Sequence, residues 1–369
     1  RARELGADHW SCEATGDGDA FASALIKVAY GIGQVEAERR VAAEQLRERA
    51  KHKQPLPDDA GLGARLKRGL GLGTTEEAPA TPNHRMQSMN AMGIFEPRQA
   101  EALVVAFGNQ GDARRAMAAM RWDVFNPWGR TLELLQTHPL VPRRILALAD
   151  SGLPGAPRQV DVRAELGEVD PAVKAQLRAA WLRELLVGYV PWVLLVAMAG
   201  FGYLTDSLLS AGIGMTVAGA ALVAKQGLRY PGEHPPARVG DLLHRLDASP
   251  VQGIGVELQG RLIGRGTPGY VLSPDVVLQD DTGFVPVIYR NPVPFAESLF
   301  GLFETETLVG EEVVVTGWYR RSPGPMVELN TLTRQSEQRV RSRMPAACMA
   351  CSVGLTVVGV VVAAVGAFG

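Results

Sequence analysis

Cysteine is scarce in this chain: Cys12, Cys348 and Cys351 are the only three among 369 residues. Three thiols build no disulfide framework, and so low a count fits a reducing compartment. Cys348 and Cys351 have CxxC spacing, but no second cysteine pair accompanies them and they open an apolar run. That context disfavours zinc or redox use against small membrane-helix residues or lipid attachment. An excess of charge of one sign is also lacking. Lys plus Arg number 38 and Asp plus Glu 39, a formal net charge of -1. No bulk basic field therefore argues for nucleic acid. The first residues, RARELGAD, hold no initiator Met and no signal peptide, and read as the middle of a charged helix.

Long apolar runs, in contrast, are present. LLVGYVPWVLLVAMAGFGYL, residues 185–204, carries no charge and has about the 20 residues needed to span a bilayer core. Thr205 and Asp206 interrupt it, and residues 207–224 are again uncharged. The pair predicts a transmembrane hairpin over 185–224, and the Val-, Ala- and Gly-rich run 345–369 predicts a third span. Buried core helices are the competing reading; length and the lack of any charge argue against it. The Gly and Ser content of the second run suits close helix packing in lipid. Arg178 and Arg183 precede the hairpin, Lys225 and Arg229 follow it, and Arg339, Arg341 and Arg343 precede the last run. The positive-inside rule then predicts a multi-pass protein of the cell membrane, with cytoplasmic soluble parts and an extracytoplasmic C-terminus. The lipid bilayer is an expected partner.

Residues 1–150 read as mostly helical, with helices broken at Asn126-Pro127 and His138-Pro139. Within them, 51–85 mixes Pro, Gly and charge without period and is expected to be a mobile insertion. Residues 151–184 form a connector, 225–249 a linker and 333–344 a basic linker. Residues 250–332 change character. GIGVELQGRLIG, VVLQDDTGFVPVIY, EEVVVTGWYRR and PMVELNTL are β-branched and alternating, and DDTG is a hairpin signal. About five strands with a helical PFAESLFGLF insert predict a small OB-like β-barrel. Such barrels bind nucleic acid through basic grooves and stacking aromatics, for which Arg261, Arg265, Tyr289, Arg290, Trp318 and Tyr319 are the candidates. A barrel tethered between membrane spans fits a protein-contact or membrane-proximal module better. The fold class expected is an α+β multidomain membrane protein.

RARELGAD carries the chemistry. On a helix, Glu4 and Asp8 share a face one turn apart. One carboxylate could ligate a metal while the other orients a neighbouring ligand. A charged, solvated helix face is the alternative, and Arg1 and Arg3 would allow it.

The following residues bear on that choice. Arg1, Glu4, Leu5, Ala7 and Asp8, then Thr15-Gly16-Asp17, then Ala24, Leu25 and Lys27 resemble the third-ligand segment of the HtpX-like membrane zinc metallopeptidases. That family includes the CAAX prenyl proteases. A second stretch, NPWGRTLELLQTHPLVPRRI, is similar to another segment of the same family through Thr137, His138, Pro139, Arg144 and Ile145. The resemblance covers about residues 1–150, in the expected order. It implies the helical C-terminal part of a zincin-type peptidase domain. It also implies Glu4 as third protein ligand of a catalytic Zn2+, and Asp8 as acceptor of a hydrogen bond from a ligating His. His138 and Arg144 would lie near the substrate carbonyl, where they could stabilise an oxyanion.

One part of the family pattern is missing. The six His are His9, His52, His84, His138, His234 and His244, and none stands in HExxH, the motif that supplies two His ligands and the general base. In the family that motif lies upstream of the third ligand. The chain is therefore expected to be the C-terminal portion of a longer protein and inactive alone. The function implied is zinc-dependent endopeptidase cleavage of protein or peptide substrates, misfolded membrane proteins foremost. The alternative is a catalytically inactive membrane scaffold or adaptor acting through its barrel.

Overall fold

The computed structural model describes residues 2–18, 21, 120–135, 139–151, 166–265, 274–322 and 324–368. His138, the 51–85 insertion and the helices expected between residues 22 and 119 lie outside these residues. Helix α1 spans Ala2–Thr15, α2 Pro127–Leu135 and α3 Val141–Ala149. Then come two long helices, α4 Pro171–Leu204 and α5 Leu208–Arg229, and a short α6, Val239–Leu243. Strands β1 Ile254–Arg265, β2 Val276–Gln279 and β3 Phe284–Ile288 follow. Next are α7 Pro294–Phe303 and α8 Thr305–Leu308, then β4 Glu312–Arg321, β5 Pro325–Arg334 and β6 Arg339–Arg341. The long α9, Met344–Phe368, comes last.

Among the described residues, three helices, α4, α5 and α9, are long and apolar enough to cross a membrane. Helix α4 has 34 residues, about 51 Å at 1.5 Å per residue, against a hydrocarbon core of about 30 Å. Its polar first turns, including much of the expected connector, project beyond the apolar run. Asp170 caps this helix by accepting from Ala172 N–H at 2.8 Å, with Pro171 at the first position. Asp206, at φ 51, makes the tight turn to α5, and Ser207 caps the new helix.

Helix α5 lies between the other two and runs antiparallel to both. Glycines set the spacing against α9. A Cβ on Gly212 would meet Ala363, one on Gly219 would meet Thr356, one on Gly359 would meet Thr216, and one on Gly366 would meet Leu209. Mostly small residues, three and four apart on both helices, thus face each other along one seam, the arrangement that lets backbones approach in lipid. Outward-facing side chains are apolar: Val196, Tyr203 and Val361 are exposed.

The β region closes into a barrel. Five strands run in the order β3-β2-β1-β4-β5, and a parallel pairing of β3 with β5, Val287 opposite Val327, closes the ring. β1 serves two neighbours. Its first part pairs with β4, Ile254 opposite Tyr319 through Arg261 opposite Glu312, and its end pairs with β2. At the bend, Gly260 is approached by the Gln279 carbonyl, where a side chain would collide. DDTG forms the β2–β3 turn: Asp280 Oδ1 accepts from Thr282 N and Gly283 N, while Oδ2 accepts from Val239 N of α6 at 2.8 Å. The core holds Leu258, Leu262, Leu278, Val285, Val315, Val327 and Leu329.

Trp122 and Trp128 belong to that same core, so the helical N-terminal part and the barrel share one interior. The barrel also meets all three long helices at one end of their bundle. Arg183 of α4 bonds Gln252 at 2.7 Å, Arg229 of α5 bonds Glu328, and Ser342, just before α9, bonds the Arg290 carbonyl at 2.7 Å.

Candidate functional site

Helix α1 presents Glu4, Asp8 and Cys12 at four-residue spacing, hence on one face. Glu4 is half-buried, and Asp8 and Cys12 are buried. The partner of this face is α3. Arg144 donates Nε–H to Asp8 Oδ2 at 2.7 Å and Nη2–H to Oδ1 at 2.6 Å, a bidentate pair buried on both sides. This is the strong form of an ion pair, two parallel charge-assisted hydrogen bonds. Each carboxylate oxygen has a second lone pair, so Asp8 retains capacity to accept elsewhere.

The structure thus brings together two of the four residues singled out by sequence. It places Glu4 one turn from Asp8 on the same helix. His138 lies outside the described residues, but its neighbours are placed. Glu133, near the end of α2, accepts from Leu140 N at 3.3 Å and pairs with Arg143 at 3.2 Å. α2 and the start of α3 are held together by this carboxylate.

Asn126-Pro127-Trp128, part of the second segment, proves to be a joint. Asn126 Oδ1 accepts from Trp128 N at 2.8 Å, and Nδ2 donates to the Leu246 carbonyl at 2.7 Å and to that of Ala248. Trp128 Nε1–H donates to buried Glu184 at 2.6 Å, the residue preceding the apolar run of α4. One turn earlier, Trp122 Nε1–H donates to the Ala248 carbonyl at 2.7 Å. Arg321 of β4 lies over the Trp122 ring at 4.9 Å and reaches Asp123 at 3.5 Å. Burial pushes the Asp123 carboxyl up to about 6, against the opposing pull of Arg321 and Arg143.

Sequence reasoning missed Trp122, Asp123 and Glu184, and placed Trp128 only within the matched segment, without its partner. Their partners lie far away along the chain, and a lone Trp or Asp on a helix carries no pairing signal. The barrel aromatics turn the other way from the stacking role considered for them. Tyr289, Trp318 and Tyr319 are buried. Trp318 Nε1–H donates to the Pro231 carbonyl at 2.8 Å, and Tyr289 stacks on Phe300 at 4.2 Å. These rings are spent on the interior and offer no face to a base.

A second buried cluster joins α5 to the barrel. Glu328 of β5 accepts from Tyr230 Oη at 2.8 Å, from Arg229 at 3.2 Å and from Arg320. Arg320 also donates to the Arg229 carbonyl at 2.7 Å. Desolvation, with the nearby Glu328 charge, pushes the Tyr230 phenol up to about 12. One acid among two arginines and a tyrosine is a structural clamp.

Among the described residues, no three His, Cys, Asp or Glu side chains converge on a metal-sized site. The described donors do not by themselves make the zinc set that the resemblance implies. Comparison with protein-family models, with curated proteins and with solved structures found no match.

Proposed function

We propose that this chain carries the third-ligand and substrate-side segments of a membrane-bound zinc endopeptidase. Its soluble parts would face the cytoplasm and its C-terminus the opposite side. The buried Asp8–Arg144 pair supports the reading most directly. It joins the two sequence segments on which the family resemblance rests, 136 positions apart. In this reading Glu4 offers its carboxylate to the metal. Arg144 locks α1 onto α3 through Asp8, which fixes where Glu4 points. A polarised carbonyl and an activated water are the chemistry such a metal supplies. That chemistry requires three protein ligands; in the family resembled an HExxH helix supplies two of them, and the sequence given contains no HExxH. His138 is then a candidate donor toward the substrate carbonyl. Substrates would be protein or peptide chains, with misfolded membrane proteins the class favoured by analogy.

The barrel is inferred to be of the OB type. Its strand order, and the helix α7 between β3 and β4, support that assignment. Its shared core with Trp122 and Trp128 supports treating it as one body with the helical N-terminal part.

Cleavage of an unfolded protein substrate by the native protein, extracted from membranes in mild detergent, tests the proposal. A chelator should stop cleavage, zinc should restore it, and Glu4→Ala should abolish it. Chelator-resistant cleavage, or full activity in Glu4→Ala, would remove the peptidase reading. No cleavage by a folded, zinc-supplied protein would leave the scaffold reading in its place.

A further inference from the structure

The segment that leads into α9 is built as a basic face. β6 is the edge strand of the sheet, and its side chains alternate. Val340 packs on the barrel core and Ser342 is buried, while Arg339, Arg341 and Arg343 are exposed. Three guanidinium groups therefore share the outward side immediately before the first turn of α9.

A second exposed feature is tied to the same place. Ser342 Oγ–H donates to the Arg290 carbonyl at 2.7 Å, and Met344 N–H, at the start of α9, donates to Ser342 Oγ at 3.3 Å. Residues 289–293 are thereby fixed beside the first turn of the long helix. Asn291 stiffens them, accepting from Val293 N at 3.1 Å and donating from its own N–H to Glu297 at 2.7 Å. From this stiff corner Val293 and Phe295 point outward, 57% and 71% exposed, followed by Leu299 at 40%. Arg290 is exposed beside them. Two nearby acids are engaged by backbone donors, Asp275 accepting from Tyr289 N and Glu297 from Asn291 N, while Glu337 in the β5–β6 turn is exposed.

Apolar side chains flanked by arginines, at the end of a helix long and apolar enough to cross a membrane, match the chemistry of a lipid interface. There an apolar ridge enters the headgroup boundary to about 5–10 Å while cations meet anionic headgroups. We propose that Val293, Phe295 and Leu299 of the α7 region, with Arg339, Arg341 and Arg343, form a contact that seats the barrel on the anionic leaflet surface. The occupant is the headgroup layer of the bilayer that receives α9. The contact would hold the barrel, and with it the Asn126–Trp128 joint, at a fixed height over the membrane. It rests on the membrane reading of the three long helices and is independent of the peptidase chemistry.

The test is backbone hydrogen exchange on the full chain in two kinds of nanodisc. One kind contains phosphatidylcholine alone, the other adds phosphatidylglycerol. Residues 290–299 and 335–343 should exchange more slowly in the anionic discs, by about fivefold or more, since each basic residue near such a surface adds roughly that factor. The triple variant Arg339→Gln/Arg341→Gln/Arg343→Gln should erase the difference. Phe295→Ser should erase it at 290–299 while the barrel strands keep their protection. Equal exchange in both discs, or slowing that survives the triple variant, overturns the proposal. Slowing by inorganic phosphate in detergent, without lipid, also overturns it by assigning the stripe to a soluble anion. Entry into neutral discs reads the membrane insertion separately. A chain that does not insert overturns that reading and the contact with it.

Discussion

Arg144 and Asp8 form the best-defined polar contact between the two segments that carry the candidate site. Breaking a buried ion pair by removing one partner costs about 3–5 kcal/mol, because the other charge stays buried without that partner. Arg144→Ala and Asp8→Ala should each lower thermal stability in detergent markedly. The double variant should be less destabilised than the two single losses added together. Additive losses in a double-mutant cycle would show that the pair carries no coupling. Neither residue announces the other in the sequence. Each was legible as a polar position in a helical segment, but no periodicity links positions so far apart. Asp123 gives a second expectation. Its folded carboxyl is pushed up to about 6 from an ordinary 3.8 by burial. The folded state therefore binds more protons than the unfolded state between pH 4 and 6. Stability from this group is greatest below pH 4, declines as pH rises through 6, and is flat above. Asp123→Asn should flatten the profile in that window. An unchanged difference between pH 4 and 7 would contradict the assignment.

At the scale of elements, alternation and turn chemistry made the barrel strands legible. The stretches VVLQDDTGFVPVIY, EEVVVTGWYRR and PMVELNTL become β2–β3, β4 and β5, and PFAESLFGLF becomes α7. The closing pairing of β3 with β5 was not legible, since a parallel contact between distant strands leaves no local signal. The start of α4 at Pro171 was also hidden. Its first turns are polar, so hydropathy marks only the membrane-length part of the helix. The barrel aromatics were misleading for a related reason, because period-2 alternation does not reveal which face is the interior. The seam between α5 and α9 carries its own expectation. Gly359→Leu or Gly219→Leu would push a side chain into Thr216 or Thr356 of the facing helix. Overpacking of this kind costs about 1–3 kcal/mol. Either change should loosen α9, read as lower thermal stability and faster proteolysis near residue 344. Gly354→Ala, on the same helix with open space around it, is the control and should leave both unchanged.

For the whole molecule, one arrangement links membrane, barrel and candidate site. The three long helices present one common end to the soluble parts, through Gln252, Glu328 and Arg290. The barrel core takes in Trp122 and Trp128, and Trp128 in turn holds Glu184 just before the apolar run of α4. The division into apolar runs and soluble parts was legible from hydropathy and charge alone. The shared core was not, because its two tryptophans lie in helical segments with no β character. On the proposed topology, a reporter fused after Gly369 should face the extracytoplasmic side. One inserted at residue 337, in the exposed β5–β6 turn, should face the cytoplasm. Reporters on the same side would contradict the three-span arrangement. The central claim is that Glu4 is a zinc ligand, and metal content tests it most directly. The native protein, purified from membranes without added metal, should hold about one zinc per chain. Glu4→Gln should lose most of that zinc while Asp8 and Arg144 still hold α1 against α3, read as unchanged thermal stability of the metal-stripped forms. A native protein free of zinc, or an unchanged zinc content in Glu4→Gln, would contradict the account.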